Sequence, residues 1–208
     1  MKSKRGPSCL CAALASAFLL LSEGRAGAQN TVVRFIAGGA AGLIVHESGH
    51  IATGLATGGN PGFKRLDYGF IPFFAITHDP VSRRREYIIA SSGFHAQHLA
   101  NELLLRRASS GEGLRSRNSA FRKGWLTFNL ATSVVYTAAA LGTFGAPERD
   151  TLGMARYAGD DGVREPVIGV MILVPAALDG VRYVYDDPAW ARWTSRAVKA
   201  GLLLLAAR

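Results

Sequence analysis

The chain has 208 residues, of which 49% are hydrophobic, and its formal net charge is +9. Its two cysteines, Cys9 and Cys11, lie together in the first apolar segment, so no disulfide framework is expected. The basic residues cluster at the ends of apolar segments and do not alternate with aromatic residues. This pattern argues against nucleic-acid binding and is typical of loops that flank membrane helices.

The N-terminus has the three parts of a secretory signal. A basic start precedes an apolar core at 9–21, and Ala26-Gly27-Ala28 is a small-residue cleavage site. We therefore expect residues 1–28 to be a signal peptide, with an uncleaved anchor as the alternative, and residues 29–208 to form one membrane-embedded domain. Removal of the signal would leave no thiol, so any metal would be held by nitrogen and oxygen ligands.

Five later apolar segments are each close to the length of about 20 residues that a membrane-spanning helix needs. They cover 32–55, 87–105, 125–144, 167–185 and 190–207. Between the first two, short apolar pieces at 66–70 and 73–77 are separated by turn residues and predict a hairpin. The segments 106–123 and 145–165 are predicted to be polar loops. The expected fold is an all-α membrane protein, a bundle of four or five transmembrane helices with a short β-hairpin after the first.

The first apolar segment contains His46-Glu47-Ser48-Gly49-His50, which has the pattern H-E-x-x-H. Histidines four residues apart lie on one helix face, where both imidazoles can reach one metal ion. The adjacent Glu47 can then act as a general base toward a water molecule that the ion activates. Imidazoles and a carboxylate are costly in an apolar helix unless they are paired or bound to metal, so the motif indicates a functional site.

A catalytic zinc site usually needs a third protein ligand. Thr53 and Ala56 stand where an extended H-E-x-x-H-x-x-G-x-x-H motif requires Gly and His, which excludes that class. Glu86 could serve as in thermolysin-like sites, but it adjoins three arginines at a helix start, where capping or ion pairing is expected. Asp179 is the one acidic residue in its apolar run. It is a candidate ligand, and pairing with Arg182 is the structural alternative.

The motif HESGH in one apolar helix and Leu178-Asp179-Gly180 in a later one resemble the paired signatures of the site-2 protease family of intramembrane zinc metalloproteases. The segment 92–97 resembles the A-G-P-x-x-N segment of that family. The resemblance implies that His46, His50 and Asp179 bind zinc, that Glu47 is the catalytic base, and that Gln97 positions the substrate. Ser92, Phe94 and Gln97 differ from the family pattern, and in 208 residues we expect no accessory domain of the PDZ kind.

Two features remain open from the sequence. His95 and His98 are three residues apart and either bind metal or form hydrogen bonds within the bundle. The topology is also unsettled. A cleaved signal would place the basic loop 106–123 outside, against the positive-inside trend, and two crossings between the motif helices would make those helices antiparallel, whereas the family has them parallel.

These observations predict a zinc-dependent intramembrane endopeptidase that acts on membrane proteins or transmembrane peptides and contacts membrane lipid. The expected location is an integral position in a membrane, the bacterial inner membrane. The main alternative is a membrane protein that binds metal without proteolysis, such as a degenerate protease homologue or scaffold. A soluble secreted metallopeptidase is a third possibility.

Overall fold

The computed structural model describes residues 27–68, 71–105, 119–158 and 161–207. The predicted signal peptide lies almost entirely outside these residues. The helices and strands follow in the order α1 (Gly27–Ala56), β1 (Gly62–Tyr68), β2 (Ile71–Thr77), α2 (Arg83–Leu104), α3 (Ala120–Gly142), α4 (Asp150–Ala158), α5 (Asp161–Val184) and α6 (Ala189–Ala207). This confirms a mostly helical protein with a two-stranded hairpin after the first helix. Helix α4 was not predicted and falls in the segment 145–165, which was expected to be a loop.

Local sequence signals explain where two of the helices begin. The Ser82 side chain accepts a hydrogen bond from the backbone N–H of Arg85 at the start of α2. The Ser119 side chain accepts one from the backbone N–H of Arg122 at the start of α3. Serine at these positions satisfies a backbone donor that has no partner within the helix.

The hairpin pairs β1 with β2 in antiparallel register, from Gly62 opposite Thr77 to Tyr68 opposite Ile71.

Helices α1 and α2 run antiparallel and in close contact. His46 lies beside Gln97, and one turn later His50 lies beside Ile89. A side chain at Gly49 would meet the backbone oxygen of Ser92 at 2.5 Å, so the glycine inside the HESGH motif permits this close approach. The motif therefore faces the middle of α2, from Ile89 to Gln97.

Helix α5 runs parallel to α2 and therefore antiparallel to α1. Asp179 and Arg182, near the C-terminal end of α5, contact Asn101 and Glu102 near the C-terminal end of α2. Near the opposite ends of the same two helices, Ile168 shares a buried apolar cluster with residues of the first half of α2. This direction, which the sequence left open, decides which acidic residues can approach the HESGH motif.

Several polar side chains are buried beside the apolar core, and many large apolar side chains are exposed. Buried positions include Asn101, Asn129, Ser133 and Thr137, while large apolar side chains are exposed along the long helices. The exposed apolar side chains include Val32, Val33, Phe35, Ile36, Leu99, Leu103, Val134, Val135, Leu141, Val167, Val170, Leu203 and Leu204. An apolar exterior of this extent is typical of a surface that contacts lipid or other proteins.

One of the described helices, Arg164–Val184 within α5, is long and apolar enough to cross a membrane, with a mean hydropathy of 1.7. The other long helices carry buried polar residues that lower their mean hydropathy; α2, for example, buries Gln97, His98 and Asn101. A bundle of four or five spans stays a prediction.

Candidate metal centre

Three side chains from two distant parts of the chain meet in one group. These are His46 and His50 from α1 and Asp150 from the first turn of α4. The two imidazoles are 2% and 5% exposed, and the Asp150 side chain is 14% exposed. The group is thus largely buried, and Asp150 is its most exposed member.

The separations within this group fit one small tetrahedral metal ion. His46 Nε2 lies 3.3 Å from His50 Nε2 and 3.1 Å from Asp150 Oδ2, and His50 Nε2 lies 3.3 Å from the same oxygen. Zinc binds nitrogen and oxygen ligands at about 2.0–2.1 Å in tetrahedral geometry, which places neighbouring donors about 3.3 Å apart. Three donors at these distances leave a fourth position open, as catalytic zinc sites do.

Hydrogen bonds on the far side of each ring orient the two Nε2 atoms toward the centre. His46 Nδ1 donates to Gln97 Oε1 at 2.9 Å, and His50 Nδ1 donates to the carbonyl oxygen of Ile89 at 2.8 Å. With the proton assigned to Nδ1, the lone pair of each Nε2 atom is available for metal. Metal-binding histidines are commonly held in this way by a carbonyl or carboxylate.

A glycine on α2 leaves space beside both nitrogens. A Cβ atom added to Gly93 would lie 2.4 Å from His50 Nε2 and 2.7 Å from His46 Nε2. Any side chain at this position would therefore occupy the space next to these two nitrogens. The ring of Phe94 packs edge-on against His46, with ring centroids 5.0 Å apart, and gives the centre an apolar wall.

The electrostatics of Asp150 favour its ionised form. Burial alone would raise its pKa, but the neighbouring imidazoles of His50 and His46 outweigh burial and hold the pKa of this carboxyl below its usual value. A carboxylate that stays ionised beside two imidazoles is a suitable ligand set for a divalent cation of the zinc type.

Asp179, the predicted third ligand, lies in a different cluster. Its carboxylate accepts hydrogen bonds from Lys199 Nζ at 2.8 and 2.9 Å, from Arg182 Nη1 at 3.1 Å and from Ser195 Oγ at 2.8 Å. Glu102 bonds to the same Lys199 and Arg182. We call Glu102, Asp179, Arg182 and Lys199 the ion-pair cluster.

The assignment of Asp179 as a metal ligand is therefore corrected. Because α5 runs antiparallel to α1, its C-terminal half lies beside the C-terminal end of α2. The HESGH motif lies beside the middle of α2. The carboxylate that meets the two imidazoles is that of Asp150, which the sequence analysis assigned to a loop. Pairing of Asp179 with Arg182, the structural alternative, is present.

The other sequence candidates have distinct positions. Glu47 follows His46 and is partly buried, as a base beside the centre would be. Gln97, predicted to position substrate, is the hydrogen-bond partner of His46. His98 is buried, and neither of its ring nitrogens has a hydrogen-bond partner among the described residues. Glu86, His95 and His98 are not part of the group formed by His46, His50 and Asp150.

Two features of the centre were missed from the sequence. Asp150 is the first residue of the nine-residue helix Asp150–Ala158. An acidic residue in the first turn is a recognised signal for the start of a helix. Gly93 was read as part of a family-like segment, but its role in leaving room beside two imidazoles depends on the packing of α2 on α1. No sequence pattern indicates that contact.

The fold and the site together define a mostly helical protein with a buried His–His–Asp group that can hold a metal ion. Comparison with protein-family models, with curated proteins and with solved structures finds no match to this chain.

Proposed function

We propose that this protein is a membrane-embedded, zinc-dependent endopeptidase that cleaves membrane proteins or transmembrane peptides. The observation that carries the proposal is the triangle formed by His46 Nε2, His50 Nε2 and Asp150 Oδ2, with Glu47 next to the first ligand. This combination of two imidazoles, one carboxylate and an adjacent glutamate supports metal-assisted hydrolysis.

In this proposal His46, His50 and Asp150 hold the ion. Bound zinc would act as a Lewis acid toward the scissile carbonyl and would make a water molecule easier to deprotonate. The oxygen of a water molecule bonds to the carbonyl carbon while Glu47 takes a proton from that water. Glu47 then delivers the proton to the leaving amine as the peptide bond breaks. Gln97 and the Ile89 carbonyl keep the two imidazoles oriented throughout.

The location in a membrane is also part of the proposal. The apolar exterior of the long helices and the candidate span in α5 support it. We propose the bacterial inner membrane as the site and lipid as the surrounding medium. A locally unfolded transmembrane segment is the proposed substrate, because a peptide bond within an intact helix is shielded from attack.

A relationship to the site-2 protease family belongs to the proposal as well. The H-E-x-x-H motif on an apolar helix supports it. The segment around Asp179 supplies no support, because its carboxylate is paired with Lys199 and Arg182.

The test compares Glu47→Gln with the native chain in detergent or liposomes. Zinc content should be unchanged, while cleavage of a single-span model substrate should fall by a factor of about 10² to 10⁴, the range for loss of a general base. Glu86→Gln is the matched control, because Glu86 lies outside the group of His46, His50 and Asp150. This variant should keep both its zinc content and its cleavage activity. His46→Ala should lose zinc. If the native chain binds zinc but cleaves nothing, a non-proteolytic metal-binding protein is the better description.

A further inference from the structure

Glu165 on α5 bonds to both residues that flank Asp150 in the sequence. Its Oε1 atom accepts hydrogen bonds from Arg149 Nε at 2.6 Å and from Thr151 Oγ1 at 2.7 Å, and its Oε2 atom accepts one from Arg149 Nη2 at 2.8 Å. Glu165 and Thr151 are 2% and 0% exposed. One buried carboxylate on a neighbouring helix therefore holds the chain on either side of Asp150.

These hydrogen bonds act on the direction of the Asp150 side chain. Arg149 directly precedes α4, and its carbonyl oxygen accepts a hydrogen bond from the backbone N–H of Gly153. Successive side chains around a helix point about 100° apart, so a residue whose two neighbours are both drawn toward one point is itself directed away from that point. The bonds to Glu165 thus direct Asp150 away from α5, and its Oδ2 atom lies 3.1 Å from His46 Nε2 on α1.

The first turn of α4 and its middle are held by different kinds of contact. A helix of nine residues gains little stability from its own hydrogen bonds and depends on packing. Met154 and Ala155 lie in the buried apolar cluster that α2 and α5 share, which holds the middle of the helix. Apolar burial has no preferred direction, whereas the two parallel bonds between the Arg149 guanidinium and Glu165 fix an orientation. The polar contacts are therefore suited to orienting the first turn, where Asp150 lies.

We infer that Glu165 is a positioning residue, which holds Asp150 in the direction in which its carboxylate meets the two imidazoles. This inference rests on the proposed function in one respect, that the group binds zinc. Loss of a group that orients a metal ligand typically weakens metal binding by a factor of about 10 to 100. A ligand that is already in place loses less conformational freedom when the ion binds. The alternative is that the buried pair of Glu165 and Arg149 only joins α4 to α5.

Two buried threonines that bond to α5 provide a matched comparison. Thr151 donates to Glu165, and Thr137 on α3 donates to the carbonyl oxygen of Gly169, in each case at 2.7 Å. Thr137 is not part of the candidate metal group. Valine at either position has nearly the same shape and removes the hydroxyl donor. Both variants should therefore lower the melting temperature of the zinc-free protein by similar amounts.

Zinc affinity should separate the two valine variants. In competition with a chromophoric chelator, Thr151→Val should bind zinc about 10 times more weakly than the native chain, because one of the two flanks of Asp150 is released. Thr137→Val should keep the native affinity. If Thr151→Val also keeps the native affinity while its melting temperature falls as in Thr137→Val, the contact is purely structural and the inference is overturned.

Substitutions of Glu165 itself should have a larger effect. Glu165→Ala removes all three hydrogen bonds and should weaken zinc binding about 100-fold. Glu165→Gln keeps one oxygen acceptor and should recover part of that loss. If Glu165→Ala does not fold, Glu165→Gln and Thr151→Val decide the question, and native zinc affinity in both of them overturns the inference.

The same measurements distinguish failure of this inference from failure of the proposed function. Zinc binding that neither Thr151→Val nor Glu165→Gln weakens refutes the positioning role and leaves the proposed endopeptidase intact. Weaker zinc binding in both variants, together with no cleavage of a single-span substrate by the zinc-loaded native chain, supports the positioning role and refutes the proposed function. A native chain that binds no zinc refutes both.

Discussion

Two buried groups of charged and polar side chains lie at different levels of the bundle, and each contains a carboxylate. In the candidate metal centre, the Asp150 carboxylate faces the imidazole nitrogens of His46 and His50. In the ion-pair cluster, the Asp179 carboxylate faces the ammonium group of Lys199 and the guanidinium group of Arg182. Both carboxylates need a compensating positive charge because they are removed from water.

The difference between the two groups is the source of that charge. Lys199 and Arg182 supply the positive charge for Asp179 from within the protein itself. The imidazoles of His46 and His50 compensate Asp150 only in the protonated form, and in the neutral form they offer lone pairs that a metal ion can use together with the carboxylate. A buried carboxylate thus indicates a metal site only when its neighbours are further ligands, and it indicates a structural ion pair when its neighbours are lysine and arginine.

The largest change in the free energy of unfolding is expected from a substitution in the ion-pair cluster. Asp179→Ala should lower the free energy of unfolding by about 3–5 kcal/mol, because it leaves buried positive charge without its partner. Denaturation in mixed micelles measures this value. The double variant Asp179→Leu with Lys199→Leu removes charge of both signs and should recover part of the loss. A single variant that costs less than about 1 kcal/mol would show that the cluster does not stabilise the bundle.

A smaller effect is expected at the partner of His46. Gln97→Leu removes the acceptor of the Nδ1 proton and should weaken zinc binding by a factor of about 10 to 100, the range for loss of a group that orients a ligand. Competition with a chromophoric chelator measures the affinity. Gln97→Glu keeps an acceptor at this position and should bind zinc more tightly than Gln97→Leu. Equal affinities for the two variants would argue that Gln97 does not orient His46.

The smallest effect is expected for the exposed pair of Lys64 and Glu148, which joins the hairpin to the segment before α4. Its hydrogen bond from Lys64 holds the pKa of Glu148 below the usual value, so the pair stabilises the fold at neutral pH and this contribution is lost as the pH falls through that lowered pKa. Because both side chains are solvated, Glu148→Gln should cost at most a few tenths of a kcal/mol at pH 7. It should cost nothing once Glu148 is protonated. A cost that persists in acid would assign the effect to packing and not to charge.

Much of the fold follows from the sequence because long apolar runs and turn residues act locally. The five predicted helical segments correspond to α1, α2, α3, α5 and α6, and the predicted hairpin corresponds to β1 and β2. Helix α4 was missed because nine residues in a polar context carry little local signal. It is stabilised by packing, with Met154 and Ala155 in the buried apolar cluster.

The site was predictable to the extent that it lies within one helix. His46, Glu47 and His50 are brought together by helical spacing alone, whereas the third ligand depends on the direction in which later helices run. Asp179 was selected because it stands alone in an apolar run, but Lys199, its main partner, is twenty residues further along the chain. Asp150 marks the start of a helix, but nothing in its neighbourhood along the chain points to His46 and His50, and the packing of α4 against α2 and α5 brings it to the imidazoles.

The most direct test of the central claim compares zinc binding by Asp150→Ala and Asp179→Asn, with folding checked by circular dichroism. If Asp150 completes the site, Asp150→Ala should weaken zinc binding by more than about 100-fold, beyond the effect of losing a group that only orients a ligand, while Asp179→Asn should bind one zinc ion as the native chain does. The reverse result, zinc retained by Asp150→Ala and lost by Asp179→Asn, would contradict the account.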